Sequence, residues 1–132
     1  NVNGFDFKRL AMLLAVLEKR IGTHMGTKDV FINLVGGLKI DDPAADLAVI
    51  SAVASSSRDK LIKESVVLIG EVGLGGEVRS VSRLKERINE AKSLGFKSVI
   101  APAANLKRMK DRIKGVDITG VTNVGEVFHH LF

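Results

Sequence analysis

The sequence predicts an α/β sandwich with a mixed sheet. Short β-branched apolar runs alternate with longer stretches of helical periodicity, and one glycine-rich hairpin interrupts that alternation. With 132 residues, 45% of them hydrophobic, the chain is long enough for one domain with its own core. No repeat, low-complexity tract or internal linker divides it, so residues 1–132 are expected to form a single domain.

Asp6 can cap a first helix running to about Arg20. Leu10, Leu13, Leu14, Leu17 and Ile21 share one face of it, Met12, Ala15 and Val16 lie off that face, and Gly22 is its stop. "VFINLV", Val30–Val35, is a β-branched strand ending at Gly36-Gly37, with Lys39-Ile40 continuing it after a bulge. "IDDPAADLAV" opens the next helix. Asp42 is an N-cap, Pro43 occupies a first-turn position, and Asp46 complements the positive helix end. That helix reaches about Ser57, and Arg58–Glu64 is a charged connection. The unbroken apolar run Val66–Ile69 predicts a strand buried on both faces.

"EVGLGGEVRSV" then reads as a hairpin with turn glycines. Ser82 is placed to cap a helix whose seam is Leu84, Ile88 and Ala91 and whose end is Gly95. "KSVIAP" is a strand, Asn105–Ile113 a short basic helix, and "VDITGV" the last strand. Thr122 or Asn123 starts a terminal helix.

Several function classes drop out. The chain has no cysteine, hence no disulfide and no thiolate metal site, and His24, His129 and His130 are too scattered to suggest zinc. Asp41, Asp42 and Asp46 resemble a metal cluster, but capping and dipole complementation account for Asp42 and Asp46 without an ion. There is no apolar run long enough to span a membrane and no signal-peptide pattern, so the cytoplasm is the expected compartment. "GEVGLGG" is followed by an extended "EVRSV" and not by a helix, which breaks the geometry of a dinucleotide loop. No GxxxxGK[ST] segment is present, so this chain by itself should not hydrolyse ATP.

The charge points to an acidic partner. Net charge is +5 and the sequence pI about 9.7. The basic residues cluster at Arg58, Lys60 and Lys63, at Arg79, Arg83, Lys85 and Arg87, and at Lys107, Arg108, Lys110, Arg112 and Lys114. Phenylalanine is the only aromatic, which argues against a stacking platform for single-stranded bases and for contact through phosphates.

Two blocks carry a family resemblance. "DDPAADLAV" resembles the nucleophile segment of the Lon protease domain, and "GEVGLGGEVRSVSRLKERINEAKSLGFKSVIAP" resembles the later hairpin and lysine-bearing helix of that domain. The resemblance implies its fold: a two-layer α/β domain with a mixed sheet, of the ribosomal protein S5 domain 2 type. By position the catalytic serine corresponds to Ala44 and the catalytic lysine to Lys85, and a glycine pair expected before Leu84 is replaced by Ser82-Arg83. Ser51 lies about 10 Å further along the helix and cannot stand in for the missing hydroxyl. Glu86 and Glu90 offer Lys85 nearby partners, which suits a solvent-facing helix lysine.

"VGGLKIDDPAADLAV", with the leading "FDFKRLAMLLAVLEKRIG", is similar to the C-terminal domain of the RadA/Sms DNA-repair family. That resemblance implies a domain of a longer protein with a zinc finger and a RecA-like ATPase. ATP, Mg and Zn are thus expected in the parent and no cofactor in this part. It also implies a DNA-dependent, hexameric motor of recombination that promotes branch migration. The expected role is a non-proteolytic module that binds double-stranded or branched DNA and scaffolds a hexameric ring. Arg79, Arg83, Lys85, Lys107, Arg108 and Lys110 are the candidate DNA contacts. The rival readings are an active serine-lysine peptidase and a purely structural oligomerisation platform.

Overall fold

A computed structural model describes residues 12–13, 15–16, 43–58, 66–110 and 113–132, with the backbone alone for 55–58. The expected strand Val30–Val35, the Asp42 cap and most of the expected first helix and charged connection lie outside these residues. Pro43–Ala45 form one 3₁₀ turn leading into α1 (Asp46–Arg58). Proline fits there because its missing N–H belongs to a turn that has no partner for it.

Three parallel strands follow: β1 (Val66–Leu68), β4 (Ser98–Pro102) and β5 (Asp117–Val121), in the order β1-β4-β5. Val67 stands opposite Val99, and Val99 opposite Ile118. Between β1 and β4 the chain makes the expected hairpin, β2 (Glu71–Val72) antiparallel to β3 (Val78–Arg79). The hairpin is tied to the end of β5. Val78 N–H donates to the Thr122 carbonyl at 2.8 Å, and Val124 N–H to that of Gly76 at 2.9 Å. Parallel and antiparallel pairing are therefore both present. The remaining helices are α2 (Leu84–Ser93), α3 (Ala103–Arg108) and α4 (Val124–Leu131).

β4 divides the core by its pleat, because successive strand residues face opposite ways. Ile100 packs in a cluster with Leu47, Ile50 and Val53 of α1 and Val124, Val127 and Phe128 of α4. Val99 and Ala101 pack in another with Leu84, Ile88 and Ala91, the predicted seam of α2. The α/β class with parallel and antiparallel pairing is as expected, and α1 and α4 pack with one set of β4 side chains while α2 packs with the other.

Four local expectations are corrected. β1 sends side chains to both clusters yet each is only half-buried. Val16, placed off the buried face of the first helix, is 2% exposed and joins the core beside Leu13, three residues away and so on the same helical face. Ser82 does not cap α2. Leu84 begins the helix, so the cap position falls on Arg83, which takes a left-handed backbone (φ 57°, ψ 40°) with no side-chain cap bond. The short basic helix spans Ala103–Arg108 and not Asn105–Ile113. It starts directly after Pro102, on two alanines that favour helix, and Met109 is already extended. Asn123 caps α4 as predicted, accepting from Glu126 N–H at 3.0 Å.

Candidate nucleic-acid interface and relic catalytic position

The helix start is a joint. Gly70 N–H donates to the Ala44 carbonyl at 2.9 Å, and Leu47 N–H donates to the Gly70 carbonyl at 3.0 Å. The Asp46 carboxylate, fully buried, accepts from Val72 N–H at 3.0 Å. Gly70 permits this approach because a Cβ there would stand 2.9 Å from Val78 Cγ1 and 3.3 Å from Leu47 Cδ2. Asp46 thus serves the first residues of α1 and the first hairpin strand together.

Ala44 itself is 6% exposed. It lines a cleft of about 310 Å³ with Val67, Ile69, Arg87, Glu90 and Leu94. Lys85, the second position the resemblance singles out, is exposed on α2. Ser51 is fully buried, its hydroxyl without a hydrogen-bond partner among the described residues, and cannot present itself to a substrate. Among the described residues no group of three or more His, Cys, Asp or Glu could hold a metal.

The basic residues divide by their partners. Arg79 is held by Glu77, with Nη2 and Nε at 3.0 and 3.3 Å from one carboxylate oxygen. The other oxygen of Glu77 accepts from Gly75 N–H in the turn at 2.9 Å. A bond from its own backbone N–H, then the Arg79 guanidinium, holds the Glu77 carboxyl below its ordinary value of 4.5. Arg83 lies 3.8 Å from Glu86, an exposed pair. Lys107, Arg108 and Lys110 are exposed and pair with no carboxylate among the described residues. Arg108 Nη2 instead donates to Ser80 Oγ at 2.7 Å. Lys107 and Arg108 border a cleft of about 440 Å³ with Val78, Ala103, Val121 and Thr122.

Sequence reasoning missed three residues here. Glu77 could have been found, because residues two apart on a strand share a face and Glu77 and Arg79 are such a pair. Ser80 and Asn105 carried no local signal. Asn105 clamps Val81, accepting from its N–H at 2.8 Å and donating to its carbonyl at 2.9 Å, so the hairpin and α3 are fastened together. Glu126, near Asn123, accepts from the Thr122 hydroxyl and N–H, and these bonds lower its pKa below 4.5.

A parallel sheet flanked by helices, a hairpin after β1, and a proline-led helix start against Gly70 together define a Lon-type α/β domain. The sequence matches the family described as Lon protease (S16) C-terminal proteolytic domain over residues 16–132. It is 48% identical over 123 residues to the DNA repair protein RadA of Bacillus subtilis, covering 93% of this chain and 27% of the relative. It is 44% identical to RadA of Streptococcus pyogenes serotype M1 over 98% of this chain and 28% of the relative. For RadA of Streptococcus pneumoniae the figures are 42%, 98% and 30%. The chain belongs to the Lon-type C-terminal domain family, in the form carried by RadA DNA repair proteins. It spans just over a quarter of the length of these relatives. Among the described residues no helix is long and apolar enough to cross a membrane.

Proposed function

We propose that this domain is a non-proteolytic, DNA-binding and ring-scaffolding part of a cytoplasmic RadA-type repair and recombination ATPase that promotes branch migration. In that reading residues 1–132 are one domain, and ATP, Mg and Zn belong to other parts of the parent. The observation that carries it is the set Lys107, Arg108 and Lys110, exposed and without carboxylate partners among the described residues, on and just after a helix fastened to the hairpin. Cations of this kind are free to replace the counterions of a phosphate backbone, whereas Arg79 must first give up Glu77. Arg83 and Lys85, both exposed, stand as secondary contacts to the same backbone.

In this reading peptidase activity is absent because Ala44 offers no hydroxyl to deprotonate. A fluorophosphonate probe should leave the chain unlabelled, and Ala44→Ser should not restore turnover of an unfolded protein. For DNA, anisotropy against salt should give a steep loss of affinity, with a logarithmic slope of about −0.9 per phosphate engaged. Lys107→Glu with Arg108→Glu should lower affinity for every sequence and flatten that slope. Duplex binding that survives the double reversal with its slope intact would refute the assignment of this face. Ring scaffolding rests on the RadA resemblance, since the inward turn of Val16 removes one apolar surface that a neighbour could have covered. Sedimentation at rising concentration tests it, and a strict monomer throughout would refute it.

A further inference from the structure

A groove of about 690 Å³, larger than either cleft above, shares no described lining residue with them. Leu106 and Met109 line it from the end of α3, Ile113 and Val116 from the connection that follows, and Ile118 from β5. All five are half-buried and pack against the cluster around Val99 and Ala101. α3 closes over β5 at Gly120, where a Cβ would stand 3.0 Å from Leu106 Cδ1 and 3.3 Å from Ala103 Cα. Ile118 shares that face two residues earlier, and there the groove opens. β5 is also an edge, since the order β1-β4-β5 leaves it one side without a strand among the described residues. Asp117 N–H donates to the Lys97 carbonyl at 2.9 Å, on the β4 side. A strand residue points its N–H and C=O the same way and its neighbours point theirs oppositely, so those of Ile118 and Gly120 face outward. No described residue bonds them there, and the hairpin reaches only Thr122 and Val124, past the strand.

The groove has a cationic end. Lys114 lines it, and Lys92, in the last turn of α2, stands beside it with Nζ 3.3 Å from where a Cβ on Gly115 would lie. Neither pairs with a carboxylate among the described residues, and Asp117 is the one acidic side chain among the described lining. Lysine at a sheet edge can serve only to discourage pairing. Here it stands over five apolar side chains that remain open to solvent, which a guarded edge does not need. Phosphate would satisfy the lysines and an acyl chain the apolar floor. An extended peptide alone also offers the alternating C=O and N–H groups that Ile118 and Gly120 lack. We infer that the β5 edge and its groove bind an extended acidic segment of a partner protein. The segment adds a strand beside β5, seats a large apolar side chain next to Ile118, and brings its carboxylates to Lys92 and Lys114.

The test selects a displayed library of random dodecapeptides on the 132-residue chain. Enriched peptides should carry aspartate or glutamate beside a large apolar residue. A synthetic peptide of the enriched sequence should raise hydrogen-exchange protection at the Ile118 and Gly120 amides and leave Asp117 and Thr119, already on the β4 side, unchanged. Lys114→Glu and Lys92→Glu, both at exposed positions, should each weaken the peptide about fivefold. Lys107→Glu with Arg108→Glu, outside the groove, should leave it within about twofold. No enrichment, enriched peptides without acidic residues, or binding indifferent to both lysine reversals overturns the inference. So does protection that appears instead at Ile69 and Phe96, beside the cleft of Ala44. Duplex DNA that displaces the peptide and protects the same two amides would give the edge to nucleic acid. Protection that rises with concentration in the peptide-free chain would give it to a second copy, and either result overturns the inference as well. Failure of the DNA-binding reading leaves it standing, because neither Lys92 nor Lys114 is among the proposed DNA contacts.

Discussion

Replacing Arg83 by glycine should stabilise the fold relative to alanine at the same position. Arg83 is the one non-glycine residue with positive φ among the described residues, at φ 57°. An L-residue pays about 1–2 kcal/mol for that left-handed conformation, because its Cβ crowds the following carbonyl. Glycine escapes the crowding but loses about 0.4–1 kcal/mol through the greater freedom of its unfolded chain. Alanine is the proper reference, since both variants lack the ion pair to Glu86 at 3.8 Å, itself an exposed contact of small value. The balance favours glycine over alanine by about 0.5–1 kcal/mol, or about 3 °C in Tm for a domain of this size. Urea unfolding of the two variants side by side measures it, with equal slopes confirming that only stability changed. An alanine variant as stable as the glycine variant, or more so, would refute the strained geometry at Arg83. The resemblance to the Lon domain places a glycine pair at Ser82-Arg83, and the left-handed backbone gives that pair a physical reason.

Three further outcomes follow from the joints of the fold. Gly70→Ala should destabilise by about 1–3 kcal/mol, as overpacking does, because its Cβ meets Val78 and Leu47 in the core; thermal melts will show it. Asn105→Ala should destabilise by about 1–3 kcal/mol, since Val81 loses a bond at each end of its peptide, and should raise hydrogen exchange in β3 before that in β4. Glu77→Gln should flatten the acid limb of the stability curve. Its folded pKa is below 4.5, so the stabilisation it gives is present above the unfolded value and is lost as pH falls through the folded one. Unfolding titrations from pH 6 to pH 2 compare the variant with the parent, and parallel curves would refute the role of the Glu77 carboxylate.

What the sequence made legible was whatever is encoded within a few residues. The hairpin was readable because the glycines of "GLGG" suit a tight turn between two short extended pieces, and the cap at Asn123 because a helix end needs an acceptor for its first N–H groups. The seam Leu84, Ile88 and Ala91 was readable from its period alone. Contacts between distant segments were not. Asp46 looked like a helix-dipole residue, and its bond to Val72 needed the fold to bring residues 26 apart together. Ser82 looked like a cap because serine often is one. The backbone of Arg83, which moved the cap by a residue, has no signature in an arginine. The basic clusters were visible, but which cations were already paired was a property of Glu77 and Glu86 in space.

On the proposed reading, the bonds around Ala44 give a reason why a helix start built for a nucleophile can outlast it. The hydrogen bonds of the turn run through the backbone, the Ala44 carbonyl accepting from Gly70 N–H and Leu47 N–H donating to the Gly70 carbonyl, while the Ala44 methyl packs in the core. A hydroxyl can be lost there without loosening any bond of the joint. Asp46 and Gly70 cannot be lost in the same way. The one holds the first hairpin strand by Val72, and the other admits Leu47 and Val78 at distances that no side chain allows. Through β3 and Asn105 the same joint sets the position of α3, and with it Lys107 and Arg108. On the proposed reading, selection acts on the helix start through the interface it supports, and the chemistry that once occupied it has become dispensable. A direct consequence is that Gly70→Ala should lower DNA affinity along with stability, whereas Ala44→Ser, which touches no bond of the joint, should leave DNA affinity unchanged.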